Sequence, residues 1–116
     1  MIRALLVLLA LALPAGAQEA RQGTGAVVRW LDKVTGRTVD LEIRSGQATT
    51  EGRLTIQLEE CRYPADGSAD AFALLTIRDR LMQAPVFQGW MIASSPALSA
   101  MDHRRYDVWV IRCTTD

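Results

Sequence analysis

The chain has 116 residues, room for one domain once a leader is set aside and too few for two. Thirteen basic and thirteen acidic side chains cancel, so the overall charge gives no reason to expect nucleic acid or an anionic membrane as partner. One histidine and two cysteines leave little material for a metal centre, and the composition indicates no cofactor.

Met1-Ile2-Arg3 begins the chain with one positive charge, an unbroken apolar run from Ala4 to Leu13 follows, and Pro14-Ala15-Gly16-Ala17 supplies small residues. That order is a secretory signal peptide, with cleavage expected after Ala17 and export to the periplasm. About ten apolar residues cannot cross a hydrocarbon core, which takes roughly 20. No cysteine follows the cleavage position, so no lipid anchor is expected, and no later segment is apolar enough to span. The product is expected to be soluble or peripheral to a membrane surface. Losing Arg3 leaves it one charge to the acidic side, and every cation except Lys33 is then an arginine, a composition suited to fixed ion pairs. The organisation is thus a signal peptide over 1–17, a flexible polar leader over 18–24 and a single β domain over 25–114.

Cys61 and Cys113 are both in the exported part, where an even cysteine count reads as a disulfide. Pairing them closes a loop of about fifty residues, worth roughly 4 kcal/mol in chain entropy. Redox pairs usually sit as Cys-x-x-Cys, and this spacing is far wider, so the staple is structural.

In chain order, Gly25 to Leu31 is rich in β-branched and aromatic residues and predicts a first strand. Asp32 to Thr38 supplies a turn in which Gly36 can take positive φ. Val39 to Arg44 alternates apolar and charged residues, which sets Val39, Leu41 and Ile43 inward. Gly52 to Glu59 alternates again, with Leu54, Ile56 and Leu58 inward. Continuing that parity would turn Glu60 in and Cys61 out, so a bulge or strand end is expected near Glu59-Glu60. Tyr63 to Asp70 is loop chemistry. Ala71 to Ile77 is nearly all apolar, as in a strand covered on both faces, and Pro85 to Ile92 predicts another strand, interrupted by Gly89. Ser95 is placed to cap a helix of one or two turns starting at Pro96. Tyr106 to Cys113 closes the fold, with Val108 and Val110 on one face and Trp109, Ile111 and Cys113 on the other. The expectation is an all-β domain, a small antiparallel β-sandwich or open barrel with one short helix and one disulfide.

The segments Leu31-Asp32-Lys33-Val34-Thr35-Gly36-Arg37-Thr38 and Phe87-Gln88-Gly89-Trp90-Met91-Ile92-Ala93-Ser94-Ser95-Pro96-Ala97-Leu98-Ser99-Ala100 are distinctive together. With Tyr106-Asp107-Val108-Trp109-Val110 and the two cysteines, the chain resembles the bacterial exported family called domain of unknown function 2155, over about Ala26 to Cys113. Ile92 stands where the family often has Phe. The resemblance implies a periplasmic or envelope protein and carries no catalytic residues with it.

A nucleophilic triad would need Ser94, Ser95 or Ser99 beside His103, with Asp102 or Asp107 orienting the ring. Adjacent Asp102-His103 side chains usually point apart, no Gly-x-Ser-x-Gly elbow exists, and capping accounts for Ser95. No ligand spacing suggests a metal, and Glu59-Glu60 read as a solvated strand edge. The tryptophans carry more weight. Two of Trp30, Trp90 and Trp109 are expected in the core, whereas an aromatic beside a small-residue turn is a docking anchor. The docking candidates are Trp90, Met91, Ser94, Ser95 and Pro96. The sequence therefore points to a non-catalytic binding module docking on an envelope protein, as an accessory subunit of an inner-membrane complex in one version; a small periplasmic hydrolase using Ser95, His103 and Asp107 is the weaker alternative.

Overall fold

The computed structural model describes residues 19–116, so the signal peptide and its cleavage position after Ala17 lie outside the described residues. Eight strands follow in chain order: β1 (Ala20–Gln22), β2 (Gly25–Asp32), β3 (Thr38–Arg44), β4 (Ala48–Glu51), β5 (Leu54–Pro64), β6 (Phe72–Asp79), β7 (Phe87–Ile92) and β8 (Tyr106–Thr114). A 3-10 turn, Pro96–Ser99, stands between β7 and β8. All pairings are antiparallel. The larger sheet runs β1-β5-β6-β7, with β4 also on β5; the smaller runs β3-β2-β8. The two sheets pack as a sandwich and do not close into a barrel.

Alternation explains the core. Leu54, Ile56 and Leu58 of β5, Ala73, Leu75 and Ile77 of β6, and Ala26, Val28 and Trp30 of β2 all face inward and are buried. Val108 and Val110 of β8 close the cluster from the smaller sheet. Trp30 lies against Tyr106 with ring centroids 5.3 Å apart, and the β4–β5 turn sits on both. Gly52 holds that turn at φ +58, and a Cβ there would come within 2.9 Å of the Trp30 ring. Only glycine satisfies both the backbone and the close approach.

Two β-bulges bring the cysteines together. On β5 the register slips between Leu58 and Glu60, so Glu59 is supernumerary and Cys61 turns inward opposite Ala73. The expected bulge at Glu59-Glu60 is therefore present. On β8 a second slip makes Ile111 the extra residue, pairing Val28 with Val110 but Val27 with Arg112. Cys113 consequently faces inward with Ala26, not outward with Trp109 as strict alternation requires. The Cys61–Cys113 disulfide, with Cα atoms 5.7 Å apart, then links the two sheets.

Three further expectations are corrected. The stretch read as a flexible leader contains β1, which pairs Arg21 with Tyr63 and Gln22 with Arg62; β5 is long enough that β4 leaves half its edge open, and those free backbone groups take a strand. The helix is a single 3-10 turn, and Ser95, at φ −142 and ψ 63, makes no side-chain cap. Finally, β6 is not covered on both faces: Phe72 and Leu74 point outward and are half-buried.

Candidate functional site

Two places concentrate unusual side chains. One is the outer face of the larger sheet. Strand register sets Trp90 beside Leu74 and Leu74 beside Glu60, while the next row holds Ile92, Phe72 and Arg62. All these side chains point away from the core, since their neighbours Met91, Ala73 and Cys61 point into it. Trp90 remains 39% exposed, with the Arg62 guanidinium 5.7 Å from its ring centre and Arg62 bound in turn to Glu60 at 2.9 Å. The result is an apolar strip of four residues, framed by an ion pair, on a sheet face that no second layer covers among the described residues. Among the described residues β7 pairs only with β6, so the outer row of its backbone groups is free to pair apart from the Ile92 carbonyl, which accepts the Ser95 N–H.

The five docking residues expected from sequence separate here. Trp90 belongs to the strip. Met91 is 2% exposed and packs in the core, so it cannot touch a partner; alternation along β7 dictates this once Trp90 faces out. Ser94 is tied down, its Oγ donating to Asp70 Oδ2 at 2.7 Å and its N–H to Asp70 Oδ1 at 3.0 Å. Burial works to raise the Asp70 carboxyl, but these bonds and the Ala71 N–H outweigh it and hold it below the ordinary carboxylate range. Ser95 is half-buried and Pro96 exposed. Pro96 and Ala97 border a hollow of 310 Å³ shared with Asp107, Val108 and Trp109, so the small-residue turn leans toward β8. Phe72, Leu74, Ile92 and Arg62 are members that sequence reasoning missed. The signal lay in β6, whose apolar residues outnumber one buried face.

The second place is a polar cluster at one end of the sandwich. His103 is 9% exposed and Asp79 2%. His103 Nδ1 accepts the N–H groups of Arg105 at 3.0 Å and Tyr106 at 3.1 Å. That fixes the ring proton on Nε2, which donates to Asp79 Oδ2 at 2.9 Å. Asp79 also takes Arg53 Nη2 at 3.1 Å and the Leu81 N–H at 2.9 Å. The Leu81 N–H contributes most to holding the Asp79 carboxyl below its ordinary value; burial opposes it, and His103 and Arg53 add to it. Beside this set, Arg105 pairs with Asp32 at 3.1 Å and Lys33 Nζ donates to the His103 carbonyl. The carboxylate that meets His103 is therefore Asp79, not Asp102 or Asp107. Asp102 is exposed, and Asp107 accepts the Val108 N–H. Both imidazole nitrogens are committed, neither of them to a serine hydroxyl. Chemically the cluster is a latch joining the β6–β7, β4–β5 and β7–β8 connections. Among the described residues no group of three or more His, Cys, Asp or Glu side chains is placed to hold a metal ion.

Over 99 residues the chain is 28% identical to an uncharacterized protein, RP359, of Rickettsia prowazekii (strain Madrid E); the match covers 82% of this chain and 64% of that relative, whose length exceeds it. No solved structure matches significantly. A family model matches residues 26–113, the span that holds strands β2 to β8 up to the second cysteine, and on that match the chain belongs to the bacterial family described as an uncharacterized protein conserved in bacteria, DUF2155.

Proposed function

We propose that the protein is a non-catalytic docking module, exported to the periplasm, that binds an envelope protein through the outer face of its larger sheet. The observation that carries the reading is the outward-facing apolar strip of exposed Trp90 with half-buried Leu74, Phe72 and Ile92, and Arg62 laid over the tryptophan. Aromatic side chains with an arginine neighbour dominate binding hot spots, because they bury large area with few rotors to order. Such a face on a small domain marks an interaction surface rather than a solvated one. The free edge of β7 lies beside the strip, so a partner strand could add to the sheet while its side chains meet Trp90. The commitment of both His103 nitrogens to structural bonds supports the non-catalytic part.

Affinity capture from detergent-solubilised envelope tests this, using wild type, Trp90→Ala and Leu98→Ala. Leu98 is 75% exposed on the 3-10 turn and serves as the control. A defined protein recovered by wild type and Leu98→Ala, and lost with Trp90→Ala, is the expected result. Recovery that ignores Trp90 would reject this face as the docking site.

A further inference from the structure

Charges that cancel over the whole chain do not cancel at one end of the fold. The β2–β3, β4–β5 and β6–β7 turns and the segment entering β8 all lie at one end of the sandwich. Cross-bonds join them: Arg80 N–H to the Arg53 carbonyl, Lys33 N–H to the Arg105 carbonyl, and Arg37 to Glu51. At this end Asp32, Glu51 and Asp79 are each taken by an arginine, namely Arg105, Arg37 and Arg53. Arg80 and Arg104 are exposed and have no carboxylate within ion-pair distance among the described residues; Asp102, beside Arg104 in sequence, is the exposed acid here. Lys33, Arg37, Arg53, Arg80, Arg104 and Arg105 thus outnumber Asp32, Glu51, Asp79 and Asp102, and this pole is cationic.

The cationic pole also bears apolar tips. Val34 is 74% exposed, Leu81 68% and Met82 54%, three of the five large hydrophobic residues that stand out from the surface among the described residues. Leu81 and Met82 border, with Arg53, Asp102 and Arg104, a hollow of 290 Å³ whose floor is the His103–Asp79 latch. The tips come from two turns, Val34 from β2–β3 and Leu81 with Met82 from β6–β7, so they form projecting points and not a flat patch. The latch holds the turns that carry them in fixed relation.

We propose that this pole seats on an anionic phospholipid surface, with Val34, Leu81 and Met82 entering the headgroup layer and Arg80 and Arg104 against the phosphates. Projecting apolar side chains flanked by cations are the pattern of interfacial membrane binding. A flat protein partner would instead favour a continuous apolar face of the kind found around Trp90. Each arginine close to an anionic bilayer strengthens binding by about fivefold, and each apolar tip that enters adds about tenfold or more. The surface is distinct from the proposed protein-docking strip, and neither reading depends on the other.

Sedimentation with vesicles of phosphatidylglycerol and phosphatidylcholine, set against phosphatidylcholine alone, tests the proposal on the purified disulfide-bonded protein. Wild type is expected to bind only the anionic vesicles, with affinity falling as salt rises. The double variant Leu81→Ser/Met82→Ser and the double variant Arg80→Glu/Arg104→Glu should each weaken binding by at least about tenfold. Leu98→Ser and Trp90→Ala should not. These positions are exposed, so the variants should fold, and circular dichroism checks that they do. Absence of binding to anionic vesicles, binding that neither double variant reduces, or equal binding to soluble polyglutamate would each overturn the proposal, the last in favour of an acidic protein partner.

Discussion

Asp79→Ala removes the acceptor at the centre of the His103 latch. The buried carboxylate receives three donors: the Leu81 N–H, His103 Nε2 and Arg53 Nη2. Deleting it strands a ring N–H that is sealed from water, and it leaves an arginine whose side chain is only 27% exposed without its counter-charge. Breaking a buried pair by removing one partner costs about 3–5 kcal/mol. For a domain of this size that lowers Tm by on the order of 20 °C. Urea unfolding followed by tryptophan fluorescence measures the loss, since Trp30 stacks on Tyr106, which in turn lies 5.2 Å from His103. In a double-mutant cycle with His103→Ala, the coupling should be about 1–3 kcal/mol. The pH dependence of Asp79→Asn gives an independent check. The native Asp79 carboxyl is held below its ordinary value, so its contribution is complete above the unfolded pKa of about 3.9 and is lost as pH falls through the native value. The stability gap between wild type and Asp79→Asn should therefore hold from neutrality to about pH 4 and narrow below it. An Asp79→Ala variant within about 0.5 kcal/mol of wild type, as at an ordinary surface site, would refute the latch.

Gly52→Ala should cost about 1–3 kcal/mol in urea unfolding, because the added methyl meets both the Trp30 ring and the Tyr106 hydroxyl at a positive φ. Replacing Cys61 and Cys113 together with Ala should lower stability by roughly 4 kcal/mol, the chain entropy of the freed loop, and the wild type should show the same loss under reductant. Trp90→Ala should cost no more than about 1 kcal/mol, since the ring faces outward, and thus separates docking from folding in a melt run beside the capture assay.

The inward faces were legible because the chemistry is local. Leu54, Ile56 and Leu58, or Val108 and Val110, declare their side of the sheet through alternation alone. The Trp90 strip was half legible. Trp90 stands out, but its neighbours Leu74 and Phe72 come from another strand, and only the β6–β7 register puts them beside it. The latch was hidden for the same reason. Asp79 and His103 are 24 positions apart, and nothing in either local sequence says that the end of β6 meets the entry to β8. The cationic pole was least visible of all. Neutrality is a sum over the chain, whereas a charged end is a property of which turns share it.

The bulges show how far local reasoning reaches. Glu59 was suspect because Cys61 stood in the outward phase, and a disulfide cysteine belongs inside. The same test applied to β8 would have exposed Ile111, since Cys113 shares the phase of Trp109, which is only half-buried. If Glu59 is truly supernumerary, deleting it leaves Leu58 inward, Glu60 outward opposite Leu74 and Cys61 inward opposite Ala73, so every pair in the β5–β6 ladder survives. Deleting Gln57 removes an equally exposed residue from the same strand, with the opposite consequence. Leu58, fully buried in the native fold, would take the outward position, and Glu59 would turn into the core. The first deletion should change stability by less than about 1 kcal/mol, with the disulfide formed. The second should cost at least about 3 kcal/mol, from the lost Leu58 burial and the buried carboxylate. Equal losses from the two deletions would mean that the extra residue is needed for the twist of the strand, and not only tolerated as a correction of phase.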